Sequence, residues 1–328
     1  VKAPKLESLL APEVVSALSR VDAHITNSIA SDVPLLFEIS NYLNQLGGKR
    51  IRPALTILCS RLLGHKEVTE ELLNICAGIE LIHMATLLHD DIIDKAPTRR
   101  GKESAYKKFG ETNTLIAGNF LFVKAFGLCA KLDKYIIEET EKACVDLTEG
   151  EILEDISNFS IEDSLAICGK KTGALFRLAA LSGGFVACRD TTIANKLSVF
   201  GQSLGIAFQI SDDILDITST IEQLGKSPCT DLREQKPSIV NCLWLKSGSE
   251  LASSILNMTV SPSEDLVQRA VSEIKVNGII EEARSLGNDY VKSAHQVILS
   301  LENDFYIKDQ ETKKLVLSII DFAASRLN

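Results

Sequence analysis

A chain of 328 residues, 45% hydrophobic and 24% charged, has the make-up of a globular protein able to bury a large core. Its net charge of −9 excludes a general nucleic-acid surface, while local Lys and Arg clusters still leave room for an anionic ligand. The eight cysteines form no CxxC pair and lie mostly in apolar helical contexts, so they read as reduced buried thiols and not as a disulfide framework or zinc site.

The first residues, VKAPKLESLLAPEV, carry no signal-peptide core and no initiator Met, which points to a trimmed, cytoplasmic chain. No uninterrupted apolar run reaches the ~18 residues of a membrane span. Apolar residues recur at helical spacing almost throughout, and no stretch alternates as a strand does. Gly47-Gly48-Lys49-Arg50-Ile51-Arg52-Pro53 sets two glycines and three cations ahead of a helix running to 63, with Pro53 in its first turn and Gly64 just past its end. Glycines let backbone approach a phosphate, and helix N-termini favour anions. The next helix is predicted over 69–94 and is apolar nearly all round, as a helix inside a bundle is. It ends on His89-Asp90-Asp91-Ile92-Ile93-Asp94, and a basic loop with Arg99 and Arg100 follows. Helices are predicted over 111–132, 134–158, 161–188 (with Lys170-Lys171-Thr172) and 191–218, the last ending on Ser211-Asp212-Asp213-Ile214-Leu215-Asp216. A polar loop over 219–237 carries Lys226 and Lys236 and has the length of a lid or binding loop. Three or four helices complete the chain. With no Gly/Ser linker or low-complexity tract, residues 1–328 read as one large all-α domain.

Asp90 and Asp94 share a helix face about 6 Å apart along the axis. Carboxylates that close repel by roughly 3 kcal/mol at an effective dielectric near 20, unless water, a proton or a cation intervenes. One DDxxD motif is equally well a solvated helix end. A second, 122 positions on and again in an apolar helix, makes solvated surface a poor account of the pair. Two facing carboxylate sets form an oxygen cage for hard divalent cations, and Mg²⁺ is its natural occupant because it binds through a few carboxylates plus substrate phosphates. His83 lies two turns before Asp90 on nearly the same face, and a satisfied core histidine is as good a reading there as a ligand. Glu80 and His83 spell the half-site of a di-iron bundle, but no other histidine has Glu three positions before it and that fold needs two. Each basic cluster alone is a solvated loop. Beside two acidic motifs they point to metals and Lys/Arg groups binding a diphosphate.

GGKRIRP, ELIHMATLLHDDIID, TRRG, GEILED, KTGALF, and GQSLGIAFQISDDILDI with EQLGK resemble the trans-isoprenyl diphosphate synthases, most nearly the bacterial long-chain polyprenyl diphosphate synthases of the octaprenyl type. The resemblance runs in order over 47–236. It implies an all-α bundle around a deep central cavity, usually homodimeric. The implied reaction is Mg²⁺-dependent head-to-tail condensation of isopentenyl diphosphate with an allylic diphosphate, here farnesyl diphosphate, on the way to a quinone side chain. At the matching positions it implies that Asp90, Asp94 and Asp212 bind Mg²⁺, with Asp91, Asp213 and Asp216 acting through metal-bound waters. Arg99, Lys171 and Lys236 would hold the allylic diphosphate with Lys226 nearby, and Lys49, Arg52, His83 and Arg100 the isopentenyl diphosphate. Thr172 and Gln209 would line the reacting centre. Asp90, Asp94, Lys171 and Asp212 form the implied catalytic set. Such a site stabilises charge on a departing diphosphate and keeps water from the allylic cation.

Positions one or two turns before the first motif, which form the cavity floor in that family, carry Ile82, Ala85 and Thr86, and no aromatic occurs between Tyr42 and Tyr106. Products longer than farnesyl, and long, are therefore expected. Four residues depart from the family pattern: Asn119 for Asp, Cys229 and Gln235 for glycines, and Val240 for proline. The alternatives are a geranylgeranyl-type synthase, a class I terpene cyclase, whose second metal motif differs, and a non-catalytic partner subunit, which would have lost an acidic motif. No nucleic-acid partner or transmembrane segment is expected; peripheral membrane contact during product release is left open.

Overall fold

The structure, a computed structural model, describes residues 10–220 and 228–327. Helices α1 (Pro12–Ser28) and α2 (Pro34–Gln45) each open on a proline whose fixed φ suits a first turn. α3 (Ile51–Leu62) follows a left-handed Arg50 (φ 45°) and stops before Gly64 (φ 98°), which turns the chain away. α4 (Glu70–Ile93) is capped by Thr69, whose Oγ1 accepts from the Leu72 N–H at 3.2 Å. By length and composition α4 could cross a membrane, but 72% of its most apolar stretch is buried against neighbouring helices, as befits the core helix of a bundle.

After α4 the chain forms a two-residue antiparallel hairpin, β1 (Thr98–Arg99) with β2 (Lys102–Glu103), too short for any alternation to announce it. The chain continues through α5 (Ala105–Phe109), α6 (Glu111–Cys129), α7 (Lys134–Ile156) and α8 (Ile161–Ile167). A π-helical turn, Cys168–Gly173, leads into α9 (Ala174–Cys188), and α10 (Thr191–Thr218) follows. α11 (Thr230–Arg233), α12 (Ile239–Lys246), α13 (Glu250–Leu256), α14 (Glu264–Val276), α15 (Ile279–Asn303) and α16 (Gln310–Leu327) complete it.

α4 lies against α3, α6 and α9, and α10 against α9, α15 and α16. α9 and α10 meet almost backbone to backbone, since a Cβ on Gly201 would stand 2.3 Å from the Phe176 carbonyl oxygen. One continuous apolar core runs from Leu10 to Leu327.

The all-α architecture is as the sequence predicts, with local differences besides that hairpin. The helix predicted over 161–188 is interrupted by the π turn. The loop predicted over 219–237 contains α11, and its 221–227 segment lies outside the described residues. Five helices follow that loop instead of three or four, because α12 and α13 have too few turns to show a 3.6-residue period.

Candidate active site

The end of α4 carries three carboxylates with three different surroundings. Asp91 is fully buried; its Oδ1 accepts from Arg99 Nε at 2.6 Å, while Oδ2 is buried without a hydrogen-bond partner. Asp91 thus braces the hairpin that presents Arg99 and Arg100. Asp94, the C-cap of α4, accepts from Lys236 Nζ at 3.0 Å. Burial, with Glu151 of α7 adding repulsion, pushes the Asp90 carboxyl up to about 7 against the pull of Lys171 and Arg99.

On α10, Asp212 is exposed and pairs with Arg326 of α16. Asp213 is buried and anchors α12: its Oδ1 accepts from Gln209 Nε2 at 2.9 Å and its Oδ2 from the Ile239 N–H at 2.9 Å. Burial raises its carboxyl to about 7. Asp216 accepts the Cys229 N–H on its carbonyl at 2.8 Å and the Asp231 N–H on Oδ2 at 3.1 Å. Asn241 Nδ2 in turn donates to the carbonyls of Asp231 (3.1 Å) and Lys236 (2.9 Å). The segment after α10 is therefore tied to the second motif and delivers Lys236 to the first. Cys229 (φ 60°) and Gln235 (φ 49°) hold left-handed backbone, so the conformation expected of glycine at both positions is kept without glycine.

The π turn sorts two adjacent lysines. Lys170 faces Asp146 (2.8 Å) and Glu149 (2.6 Å), while Lys171 is held by Glu151 (2.8 Å) and Glu154. Next to it, the Thr172 hydroxyl donates to Gln209 Oε1 at 2.6 Å, joining Lys171's segment to Asp213. Ahead of α3 the cations also divide. Arg50 bonds Asp22 (2.8 Å) and the buried Glu80 (2.7 Å) and is a structural brace. Arg52 stacks over Phe176 with 5.0 Å from its guanidinium carbon to the ring centre, and its buried Nε has no hydrogen-bond partner. Burial lowers its pKa to about 10, with Glu80 opposing and Arg100 adding to the fall. Lys49 lies 5.7 Å over the Phe322 ring, and partial burial and Arg326 lower its pKa. His83 is held neutral, its pKa pushed well below 6.5 by burial and by Arg52 and Arg100. Arg100 lies against Gly48, where a Cβ would meet its Nη1 at 3.1 Å.

Of the residues the sequence nominates, Asp90, Asp91, Asp94, Arg99, Lys171 and Lys236 gather about the first motif, and Lys49, Arg52, Thr172, Gln209, Asp212, Asp213 and Asp216 about the second. His83 and Arg100 stand beside Arg52. Lys226 lies outside the described residues. Asn119 sits on the exposed face of α6 and Val240 in the buried first turn of α12. Sequence reasoning missed Glu151, Glu154, Phe322 and Arg326. GEILED signals the first two, and nothing local signals the others.

The donors fit a hard divalent cation: they are all oxygen, and they include a buried Asp91 oxygen without a partner. Among the described residues no three acidic, His or Cys side chains converge to hold a metal unaided, so phosphate oxygens would complete its coordination.

Residues 33–274 match the polyprenyl synthetase family. The octaprenyl diphosphate synthase of Escherichia coli is 35% identical over 227 residues, 68% of this chain and 70% of that one. The geranylgeranyl diphosphate synthase of Methanosarcina mazei is 30% identical over 97% of this chain and 98% of its own. A polyprenyl synthase of Caulobacter crescentus, solved with calcium and isoprenyl diphosphate, superimposes with a TM-score of 0.88 at 28% identity and full coverage of both chains.

Proposed function

From the premise that the chain belongs to the polyprenyl synthetase family and is a prenyltransferase, we propose that it joins isopentenyl diphosphate head to tail onto an allylic diphosphate such as farnesyl diphosphate, yielding a long trans-polyprenyl diphosphate. The observation that carries this reading is the buried, unpartnered Nε of Arg52, set beside Arg100 and within the field of Asp212 of the second DDxxD motif.

Asp90, Asp94 and Asp212 would hold Mg²⁺, whose charge, once bound, offsets the negative charge building on the departing diphosphate. Arg99, Lys171 and Lys236 orient the allylic diphosphate: Arg99 through nitrogens other than the Nε held by the buried Asp91, Lys171 and Lys236 by leaving the carboxylates on which they now rest. Arg52, Arg100 and Lys49 take the second diphosphate, and neutral His83 adds a hydrogen bond without adding charge. Thr172 and Gln209 set the reacting centre, and apolar α4 side chains such as Ile82 and Ala85 exclude water. The released diphosphate takes the proton lost in condensation. The likeness to a synthase solved with calcium and isoprenyl diphosphate supports a divalent metal.

Chain length rests on the small side chains of α4, Ala85 and Thr86, and on the lack of an aromatic plug there. The likeness to a geranylgeranyl synthase favours a shorter product as the second reading. The test incubates purified protein with Mg²⁺, labelled isopentenyl diphosphate and farnesyl diphosphate, and sizes the extracted prenyl alcohols. A ladder extending past geranylgeranyl supports the long-chain reading, and a stop there supports the second. Absence of any Mg²⁺-dependent product with any primer would overturn both. Asp94→Ala should abolish turnover while leaving the helical circular dichroism intact.

The whole chain acts in this reading as one domain, and its eight free thiols suit a reducing, cytoplasmic setting. The apolar outer face of α6, with Ile116, Val123 and Phe126 exposed, suits pairing with a second copy.

A further inference from the structure

Asp212 differs from the other carboxylates of the two motifs. Its side chain is 57% exposed, so burial imposes no need for a counter-ion, yet it is met by Arg326, whose own side chain is only 15% exposed. Arg326 comes from the last turn of α16 and reaches Asp212 across two aromatic rings, 5.5 Å from the centre of Phe208 and 6.0 Å from that of Phe322. The rings hold the stem and fix where the guanidinium ends. The helix end that carries it is itself fixed. Arg284 Nε of α15 donates to the Leu327 carbonyl at 2.6 Å, and the Leu327 side chain lies against Gly287, where a Cβ would stand 2.6 Å from its Cδ2. Lys49 shares the Phe322 ring, and Arg326 lowers its pKa, so two cations are crowded beside one exposed carboxylate. Surface chance does not build such an approach. A guanidinium already bonded to Asp212 Oδ1 occupies an oxygen that a metal ligand would have to offer.

We propose that Arg326 is a positioning residue of the second acidic motif: it is the resident counter-cation of Asp212, holds that carboxylate aimed into the site, and is displaced when a divalent cation takes the oxygen. The inference rests on the reading of Asp212 as a metal ligand. It makes the end of the last helix a competitor for the metal, so the strength of the ion pair is subtracted from metal affinity at this motif. It also couples the position of α16 to metal occupancy.

The experiment measures Mn²⁺ binding in the presence of inorganic pyrophosphate, from the paramagnetic resonance of free Mn²⁺, for wild type, Arg326→Met, Asp212→Asn and the double variant. Loss of a partly exposed ion pair should let Arg326→Met bind Mn²⁺ about two- to five-fold more tightly. The gain should vanish in the Asp212→Asn background. Arg326→Gln, which keeps a shorter methylene stem over the rings and a neutral polar tip, should show the same gain if the Met variant folds poorly. Unchanged or weaker binding in both Arg326 variants, with binding still sensitive to Asp212→Asn, would overturn this inference alone. Mn²⁺ binding indifferent to Asp212→Asn would overturn it together with the metal reading on which it stands.

Discussion

Arg99 and Arg50 are both arginines in basic runs flanking the site, and only their partners tell them apart. Arg99 neutralises the fully buried Asp91. Removing it in Arg99→Met leaves a carboxylate in the core with neither oxygen paired, at a cost of about 3 kcal/mol in unfolding free energy. The double variant with Asp91→Asn should recover most of that loss in denaturant titrations, and failure to recover would show that the pair is not what the hairpin rests on. His83 makes a second residue-level prediction. The unfolded chain protonates this ring below its ordinary 6.5, while the folded chain keeps it neutral, so its contribution is whole above about 6.5 and is lost as pH falls. Unfolding midpoints should therefore drop more steeply between neutral pH and mildly acid pH in wild type than in His83→Gln, by up to roughly 1.4 kcal/mol per unit. Equal slopes would contradict a ring held neutral in the folded chain. At this scale the acidic motifs were legible because their oddity is local: carboxylates where a core helix should continue. Arg50 was not, because its direction is set by a left-handed φ and by Glu80, 30 positions away.

At the scale of elements, helix starts were readable where a chemical cap precedes a long helix, and not where Ser238 and Ser249 cap helices of two turns. Thr69 begins α4 and Asp190 begins α10, its carboxylate accepting from the Thr192 N–H at 2.7 Å. The π turn was not readable, since its residues keep the helical rhythm on either side while one extra residue per turn rotates Lys170 and Lys171 onto different partners. The segment around α11 stores backbone strain at Cys229 and Gln235. Left-handed backbone costs a side-chain-bearing residue about 1 kcal/mol. Part of that is returned when glycine frees the unfolded chain, so Gln235→Gly should gain about 0.5 kcal/mol in urea unfolding. Cys229→Val should lose stability, because a β-branched side chain is least tolerated at φ 60°. A neutral result for the valine variant would mean that the segment relaxes its backbone freely.

At the scale of the whole molecule, the all-α class followed from periodicity, and the expectation that two distant motifs work together from charge that needs company. The part played by the last helix did not, because Arg326 matters only through where α16 ends against α10 and α15. The outer face of α6 belongs to this scale as well. Val123 is 67% exposed there and Phe126 46%. If that face pairs with a second copy, Val123→Glu should shift sedimentation from dimer to monomer, and wild type sedimenting as a monomer would rule the pairing out. The contact between Lys236 and Asp94 has one more consequence. It joins positions 142 apart in the chain, whereas α9 meets its sequence neighbour α10 across a short turn. Neighbouring helices close small loops early, and remote contacts wait for large ones. A refolding chain should then regain its far-ultraviolet signal well before its turnover, passing through a species that is helical and catalytically silent.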